Sequence, residues 1–136
     1  MRTEFFLPMQ PPTETHQEKS INVKASAKIG RPVFYDPPEL KAARAKLRDH
    51  LAGHMPEQPY AGAVRLVTKW CFPIVGKHTN GEYKTSKPDT DNLQKMLKDF
   101  MTDLHFWKDD AQVASEIAEK FWADLPGIFI AIEELV

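Results

Sequence analysis

The strongest pattern in the chain is an apolar stripe: Leu93, Met96, Leu97, Phe100, Met101 and Leu104 recur at i, i+3, i+4, i+7, i+8 and i+11. That spacing keeps side chains on one face of an α-helix. A shorter stripe of the same period, Leu40, Ala43, Leu47 and Leu51, follows Asp36-Pro37-Pro38-Glu39. A capping side chain, a proline in the first turn and a carboxylate three residues after the cap mark a helix start there, and Gly53 is placed to close it. Elsewhere the period is two. From Val64 to Phe72, Val64, Leu66, Trp70 and Phe72 alternate with Arg65 and Lys69, which predicts a half-buried strand ended at Pro73. Ile128, Ile130 and Ile132 predict a final strand over Gly127–Glu133, and Glu4–Met9 reads as a short strand ended by Pro8 and Pro11-Pro12. Residues 17–35 read as a loose hairpin turning near Gly30-Arg31-Pro32. Val113, Ile117 and Phe121 fit a helix face and period two equally.

The chain has 136 residues, 42% of them hydrophobic and 27% charged, so one folded domain over residues 1–136 is expected. No apolar run approaches a membrane span, and the start Met1–Pro8 is too short for a secretory h-region. A cytoplasmic protein without a membrane partner is the expectation. A single cysteine, Cys71, excludes an intrachain disulfide and a cysteine-rich zinc site.

Net charge is −1, but it is unevenly spread: residues 1–88 hold 14 Lys and Arg against 8 Asp and Glu, and residues 89–136 hold 4 against 11. A basic surface beside an acidic one would follow, although ordinary solvated faces give the same counts. Two cationic groups stand out. Lys41, Arg44 and Arg48 share a helix face, and Lys77, Lys84 and Lys87 punctuate the polar, turn-rich stretch 76–88, which reads as a mobile surface loop. Either group would suit a phosphate backbone.

The acidic half concentrates its carboxylates. Asp89-Thr90-Asp91-Asn92 stands at the mouth of the strong helix, and Asp109-Asp110 follows it after His105-Phe106-Trp107-Lys108. Hard divalent cations take oxygen ligands converging from separate segments, and these two clusters supply them. The same residues also read as an N-cap and a turn. Lys95, one helical turn after Asp91, could hold a phosphate beside such a metal or form an i, i+4 ion pair. Other chemistry fails on detail. Gln94 stands where a calcium loop needs glycine, and Glu82-Tyr83 stand where a P-loop needs Lys and Ser/Thr. His50 and His54 straddle a helix end, and no Ser, His and Asp trio has a recognisable setting.

The run Asp89-Thr-Asp-Asn-Leu-Gln-Lys95, then Phe106-Trp107-Lys-Asp109-Asp110-Ala-Gln-Val113, resembles the RusA family of Holliday junction resolvases. That family's signature is D-x-D-N-L-x-K, a helix, then F/W-x-D-D-x-Q-V. The resemblance implies a single α+β domain with a mixed β-sheet and two main α-helices. It resolves residues 113–122 as a strand and implies a β-hairpin ending at Glu133. It places metal-binding catalytic aspartates on Asp89, Asp91 and Asp110, an assisting acid on Asp109, and a functional lysine on Lys95. It also implies homodimers that bind four-way DNA junctions and, with Mg²⁺ or in its place Mn²⁺, cut two opposed strands. Many members come from phages or prophages. This chain departs from some relatives in having scattered lysines rather than an arginine cluster before Asp89, and a slightly acidic net charge.

The implied chemistry is physically coherent. A phosphodiester repels nucleophiles, and a carboxylate-held cation both neutralises that charge and acidifies water. Lys95 would stabilise charge developing at phosphorus. Affinity for DNA would then rest on Lys77, Lys84, Lys87, Lys41, Arg44 and Arg48. Competing readings are a nuclease acting on flaps or forks, a non-catalytic junction-binding protein, and a structural phage protein with an incidental acidic turn.

Overall fold

The alternation between Val64 and Phe72 belongs to an interior strand of the sheet. The computed structural model describes residues 1–13, 20–21, 34–35 and 38–136. Within them the order is β1 (Arg2–Leu7), β2 (Ser20–Ile21), β3 (Phe34–Tyr35), helix α1 (Pro38–Ala52), β4 (Val64–Pro73), helix α2 (Thr90–Asp103), a short 3₁₀ turn (Asp110–Gln112), β5 (Val113–Ala123) and β6 (Gly127–Glu134). Four strands form a mixed sheet in the order β1-β6-β4-β5. β4 runs parallel to β5 and antiparallel to β6, and β6 is antiparallel to β1. This is an α+β arrangement with two helices, as expected.

β4 buries Val64, Leu66, Thr68, Trp70 and Phe72 on one face. In register with them β6 supplies Ile132, Ile130 and Ile128, and the core closes with Leu93, Met96, Leu97, Phe100 and Met101 of α2 and Leu47 and Leu51 of α1. Each fully buried side chain of this size stabilises the fold by about 1.5–3 kcal/mol. α2 ends in a Schellman arrangement: His105 N–H donates to Thr102 O at 3.1 Å and Phe106 N–H to Met101 O at 2.9 Å. His105 itself sits at φ 62°, where glycine is usual.

Several expectations change. The first strand runs from Arg2 to Leu7, two residues earlier than the pattern implied, because Pro8 has no N–H to extend the ladder. The ambiguous stretch after Val113 is a strand, but it forms no hairpin with the last one, since β4 lies between them. The reason is burial: β6 is mostly buried and takes two neighbours, whereas β5 carries Glu116, Glu119 and Lys120 and suits an edge. Of the expected hairpin over 17–35, Ser20 pairs with Tyr35 and Ile21 with Phe34. Its turn near Gly30-Arg31-Pro32 and the cap at Asp36-Pro37 lie outside the described residues.

The loop before α2 is pinned rather than mobile. Gly81 N–H donates to Trp122 O, Trp122 N–H to Glu82 O and Lys84 N–H to Lys120 O, at 2.8, 2.8 and 3.0 Å, so the loop pairs with the outer edge of β5. His78 stacks on Trp122, is held by Glu82, and Tyr83 stacks on Phe121. The Tyr83 hydroxyl donates to Glu119, whose carboxylate also raises the Tyr83 pKa above its ordinary value. Among the described residues no helix is long and apolar enough to cross a membrane.

Gly127 opens β6 where the first strand passes closest. A Cβ there would fall on the Phe6 ring and 2.7 Å from the Leu7 carbonyl oxygen, and a backbone atom cannot swing aside. Gly127→Ala is therefore expected to destabilise the protein by about 1–3 kcal/mol, the usual cost of overpacking. Urea unfolding monitored by tryptophan fluorescence checks this.

Candidate active site

The parallel pairing of β4 with β5 aligns Leu66 with Glu116, Thr68 with Ala118, Trp70 with Lys120 and Phe72 with Trp122. These four β5 residues therefore project to the side of the sheet covered by the helices. Between them and the first turns of α2 lies a cleft of about 550 Å³. α2 contributes Thr90, Asp91, Gln94, Lys95 and Lys98, the 3₁₀ turn contributes Asp110, and β5 contributes Glu116 and Ala118. The two acidic clusters, some twenty residues apart in sequence, thus meet at one place.

The motif aspartates are not equivalent. Asp91 and Asp110 both line the cleft with Lys95. Among the described residues Asp91 Oδ1 accepts only the Asn92 N–H, at 3.0 Å, and no ion pair joins Asp91 to Lys95. Asp89 occupies the N-cap position of α2 in an extended conformation without a capping side-chain bond. It is exposed and precedes the cleft-lining Thr90 and Asp91 in the chain. The Asp109 carboxylate turns away, accepting the Ala111 N–H at 2.9 Å in a capping box with Gln112.

The aromatic and glutamine positions of the motif explain how Asp110 is held. Phe106 and Trp107 are fully buried, and Trp107 Nε1 donates to Thr102 Oγ1 at 2.8 Å. Gln112 then uses its whole amide. Its oxygen accepts the N–H groups of Lys108 and Asp109 at 2.9 and 3.1 Å, and its nitrogen donates to the carbonyls of Tyr60 and Gly62 at 2.8 and 3.0 Å. The turn carrying Asp110 is thereby stapled to the segment entering β4.

Sequence reasoning missed Gln94, Lys98 and Glu116. Gln94 is buried, and its oxygen accepts from Thr68 Oγ1 at 2.7 Å and Trp70 Nε1 at 3.0 Å. Its nitrogen donates to Glu116 Oε2 at 2.8 Å, while Lys98 reaches Glu116 Oε1 at 3.2 Å. Glu116 is thus a carboxylate fixed in the cleft from both sides. The signal was present in the alternation of Glu116, Ala118 and Lys120, but it becomes readable only once residues 113–123 are known to be a strand.

The cationic candidates separate. Lys77 and Lys87 are exposed on the loop and Lys41 on α1. Lys84, expected among the DNA-facing cations, is turned inward instead: it is 8% exposed, with its ammonium over the rings of Trp122 and Phe72 at 4.6 and 5.2 Å. It donates to Ser86 Oγ and the Lys87 carbonyl, both at 2.6 Å. Burial, and then the nearby Lys120 charge, lower its pKa. Arg44 and Arg48 lie over the Phe100 ring at 5.5 and 6.0 Å, and Arg48 meets Asp103 at 3.5 Å. At about 100° per residue Phe100 is on the far side of α2 from Asp91, so this stripe flanks the helix opposite the cleft. Cys71 is half-buried, and burial raises its thiol pKa. His54 stacks on Phe5 at 4.3 Å.

Carboxylate oxygens face the cleft and neither thiol nor imidazole lines it, a donor set suited to a hard divalent cation that keeps part of its water. Among the described residues no three acidic, imidazole or thiol groups already form a closed cage.

Residues 8–133 match the family model for endodeoxyribonuclease RusA. The chain is 31% identical to a crossover junction endodeoxyribonuclease rusA of Lactococcus phage r1t, covering 99% of this chain and 100% of that protein. It is also similar to the uncharacterized protein YqaN of Bacillus subtilis (strain 168), at 28% identity over 82% of this chain and 86% of that one.

The Gln94 bridge is open to a direct test. Gln94→Leu keeps the volume but leaves the Trp70 N–H with Thr68 alone and Glu116 with Lys98 alone. A loss of about 1–3 kcal/mol is expected, the cost of leaving buried polar groups short of partners. The urea midpoint of the variant measures it.

Proposed function

The chain belongs to the RusA endodeoxyribonuclease family, and we propose that it is a Mg²⁺-dependent, structure-specific endodeoxyribonuclease that resolves four-way DNA junctions in recombination and repair. In this reading residues 1–136 act as one nuclease domain in the cytoplasm, two copies form a symmetric dimer, and each cuts one of two opposed strands. The observation that carries it is the meeting of Asp91, Asp110 and Lys95 on one cleft, at the positions of the family motif.

Asp89, Asp91 and Asp110 would hold the cation, with Asp109 beside them committed to its cap. Mn²⁺ satisfies the same oxygen donors. Once bound, the cation offsets the charge of the scissile phosphate and makes water acidic enough to supply hydroxide near neutral pH. Lys95 lines the same cleft, where its ammonium would hydrogen-bond a phosphate oxygen and stabilise the charge that builds there during attack. Glu116, already gripped by Gln94 and Lys98, keeps that wall of the cleft in place. A two-fold dimer facing a nearly two-fold substrate places both clefts on equivalent strands.

The cleft repels DNA, so affinity rests on cations outside it. Lys77 and Lys87 on the loop are the foremost candidates, with Lys41 and the Arg44 and Arg48 face beyond α2. Phosphate contacts set affinity and its salt dependence without reading sequence.

The test is cleavage of a labelled four-way junction, a linear duplex and a flap, each with Mg²⁺ or EDTA. Paired nicks confined to the junction, lost in EDTA and in Asp91→Asn while the variant still binds the junction, are the expected result. Equal cutting of flap and junction would reassign the substrate, and full activity of Asp91→Asn would overturn the site. In the same binding assay Lys77→Ala and Lys87→Ala should each flatten the salt dependence by about one charge. Lys84→Met should leave that slope unchanged.

A further inference from the structure

The three residues before Asp89 are held in an unusual way. The carbonyl oxygens of Ser86 and Pro88 both accept hydrogen bonds from the Lys120 ammonium, each at 2.7 Å. The carbonyl between them, on Lys87, accepts from the Lys84 ammonium at 2.6 Å, and so does the Ser86 hydroxyl. Three consecutive carbonyls therefore point at two cations. Among the described residues neither ammonium meets a carboxylate, although Asp91, Asp110 and Glu116 line the neighbouring cleft. Both lysines have instead been committed to neutral backbone oxygens, where charge-assisted bonds are short and directional.

The placement of Lys120 follows from the sheet. It stands two residues after Ala118 on β5, opposite Trp70 of β4, and so on the same face as the cleft-lining Glu116 and Ala118. The strand that supplies the cleft wall thus also grips the peptide that delivers Asp89 and Asp91. Lys84 also reaches the same peptide, backed by the Trp122 and Phe72 rings.

We propose that Lys120 is a positioning residue: with Lys84 behind it, it holds the Ser86-Lys87-Pro88 backbone so that Asp89 and Asp91 are presented to the cation, and it is not a DNA contact. This rests on the reading of Asp89 and Asp91 given above. The physical requirement is order before binding. Carboxylates that repel one another spread unless their backbone is fixed, and a rigid entry to α2 lowers what the cation must do to gather them. Groups that orient metal ligands are commonly worth about 10–100-fold in metal affinity or activity.

The experiment compares wild type, Lys120→Met, Lys120→Arg and Asp91→Asn. Mn²⁺ affinity is measured without DNA by electron paramagnetic resonance of the free ion, junction affinity is measured in EDTA at several salt concentrations, and cleavage is measured against Mg²⁺ concentration. Lys120→Met should lower Mn²⁺ affinity and raise the Mg²⁺ needed for half-maximal cleavage by about 10–100-fold, with junction affinity and its salt slope unchanged. Lys120→Arg should recover most of the loss. Unchanged Mn²⁺ affinity overturns the proposal, and so does a flatter salt slope of about one charge, which marks a phosphate contact. If Asp91→Asn binds Mn²⁺ like the wild type, the assignment of the site itself falls. If Asp91→Asn loses the ion while Lys120→Met keeps it, only the role of Lys120 falls. Should Lys120→Met not fold, Lys120→Gln and Lys120→Arg carry the same comparison.

Discussion

The parallel pairing of β4 with β5 is the constraint on which the cleft depends. One register sends Glu116, Ala118, Lys120 and Trp122 to the helix side of the sheet, and each has a separate partner there. Glu116 meets Gln94 and Lys98, Ala118 floors the cleft, Lys120 grips the turn before Asp89, and Trp122 carries His78 and Lys84. A slip of one residue would turn all four to the other face at once. Parallel strands cannot be joined by a tight turn, so the chain between β4 and β5 must travel. It uses that length to build the loop, α2 and the turn that carries Asp110.

Among the described residues no cation pairs with the carboxylates of Asp91 and Asp110, which are positioned through the backbone that carries them. Gln112 fixes the Asp110 turn with four amide hydrogen bonds, Gln94 and Lys98 hold Glu116 against the buried Thr68 and Trp70, and the Lys84 and Lys120 ammoniums grip the carbonyls ahead of Asp89. This has an electrostatic consequence. Were Asp91 or Asp110 neutralised by a fixed arginine, a cation would have to displace it. Among the described residues Asp91 and Asp110 have no cationic partner, and Lys95 has no carboxylate partner, in the same cleft.

Much of this was legible in the sequence, and what was not has physical reasons. The stripe from Leu93 to Leu104 defined α2, and the alternation from Val64 defined β4, because a half-buried element leaves a periodic trace. The motif aspartates could be brought together from their places at the two ends of one helix. The hairpin expected of the last two strands was wrong because a short connection does not fix pairing. Which strand is central is decided by burial, and the mostly buried β6 took the interior place that polar β5 could not. Glu116 and Lys120 stayed hidden while residues 113–122 could be helix or strand, since a face has no meaning before its period is known.

The lysines of the loop show the harder limit. Lys77, Lys84 and Lys87 look alike along the chain, yet only Lys84 has its stem laid between Phe72 and Trp122 with its ammonium turned inward. Spacing cannot separate them, because a cation before an acidic motif has two uses: to meet phosphate from solvent, or to hold backbone from within. The difference lies in what stands behind it. Aromatic faces attract an ammonium and shield it, and here they come from two strands, Phe72 of β4 and, more than thirty residues downstream, Trp122 of β5. A basic loop therefore becomes partly structural through a contact that local sequence does not contain, and charge alone overstates how much of it is exposed.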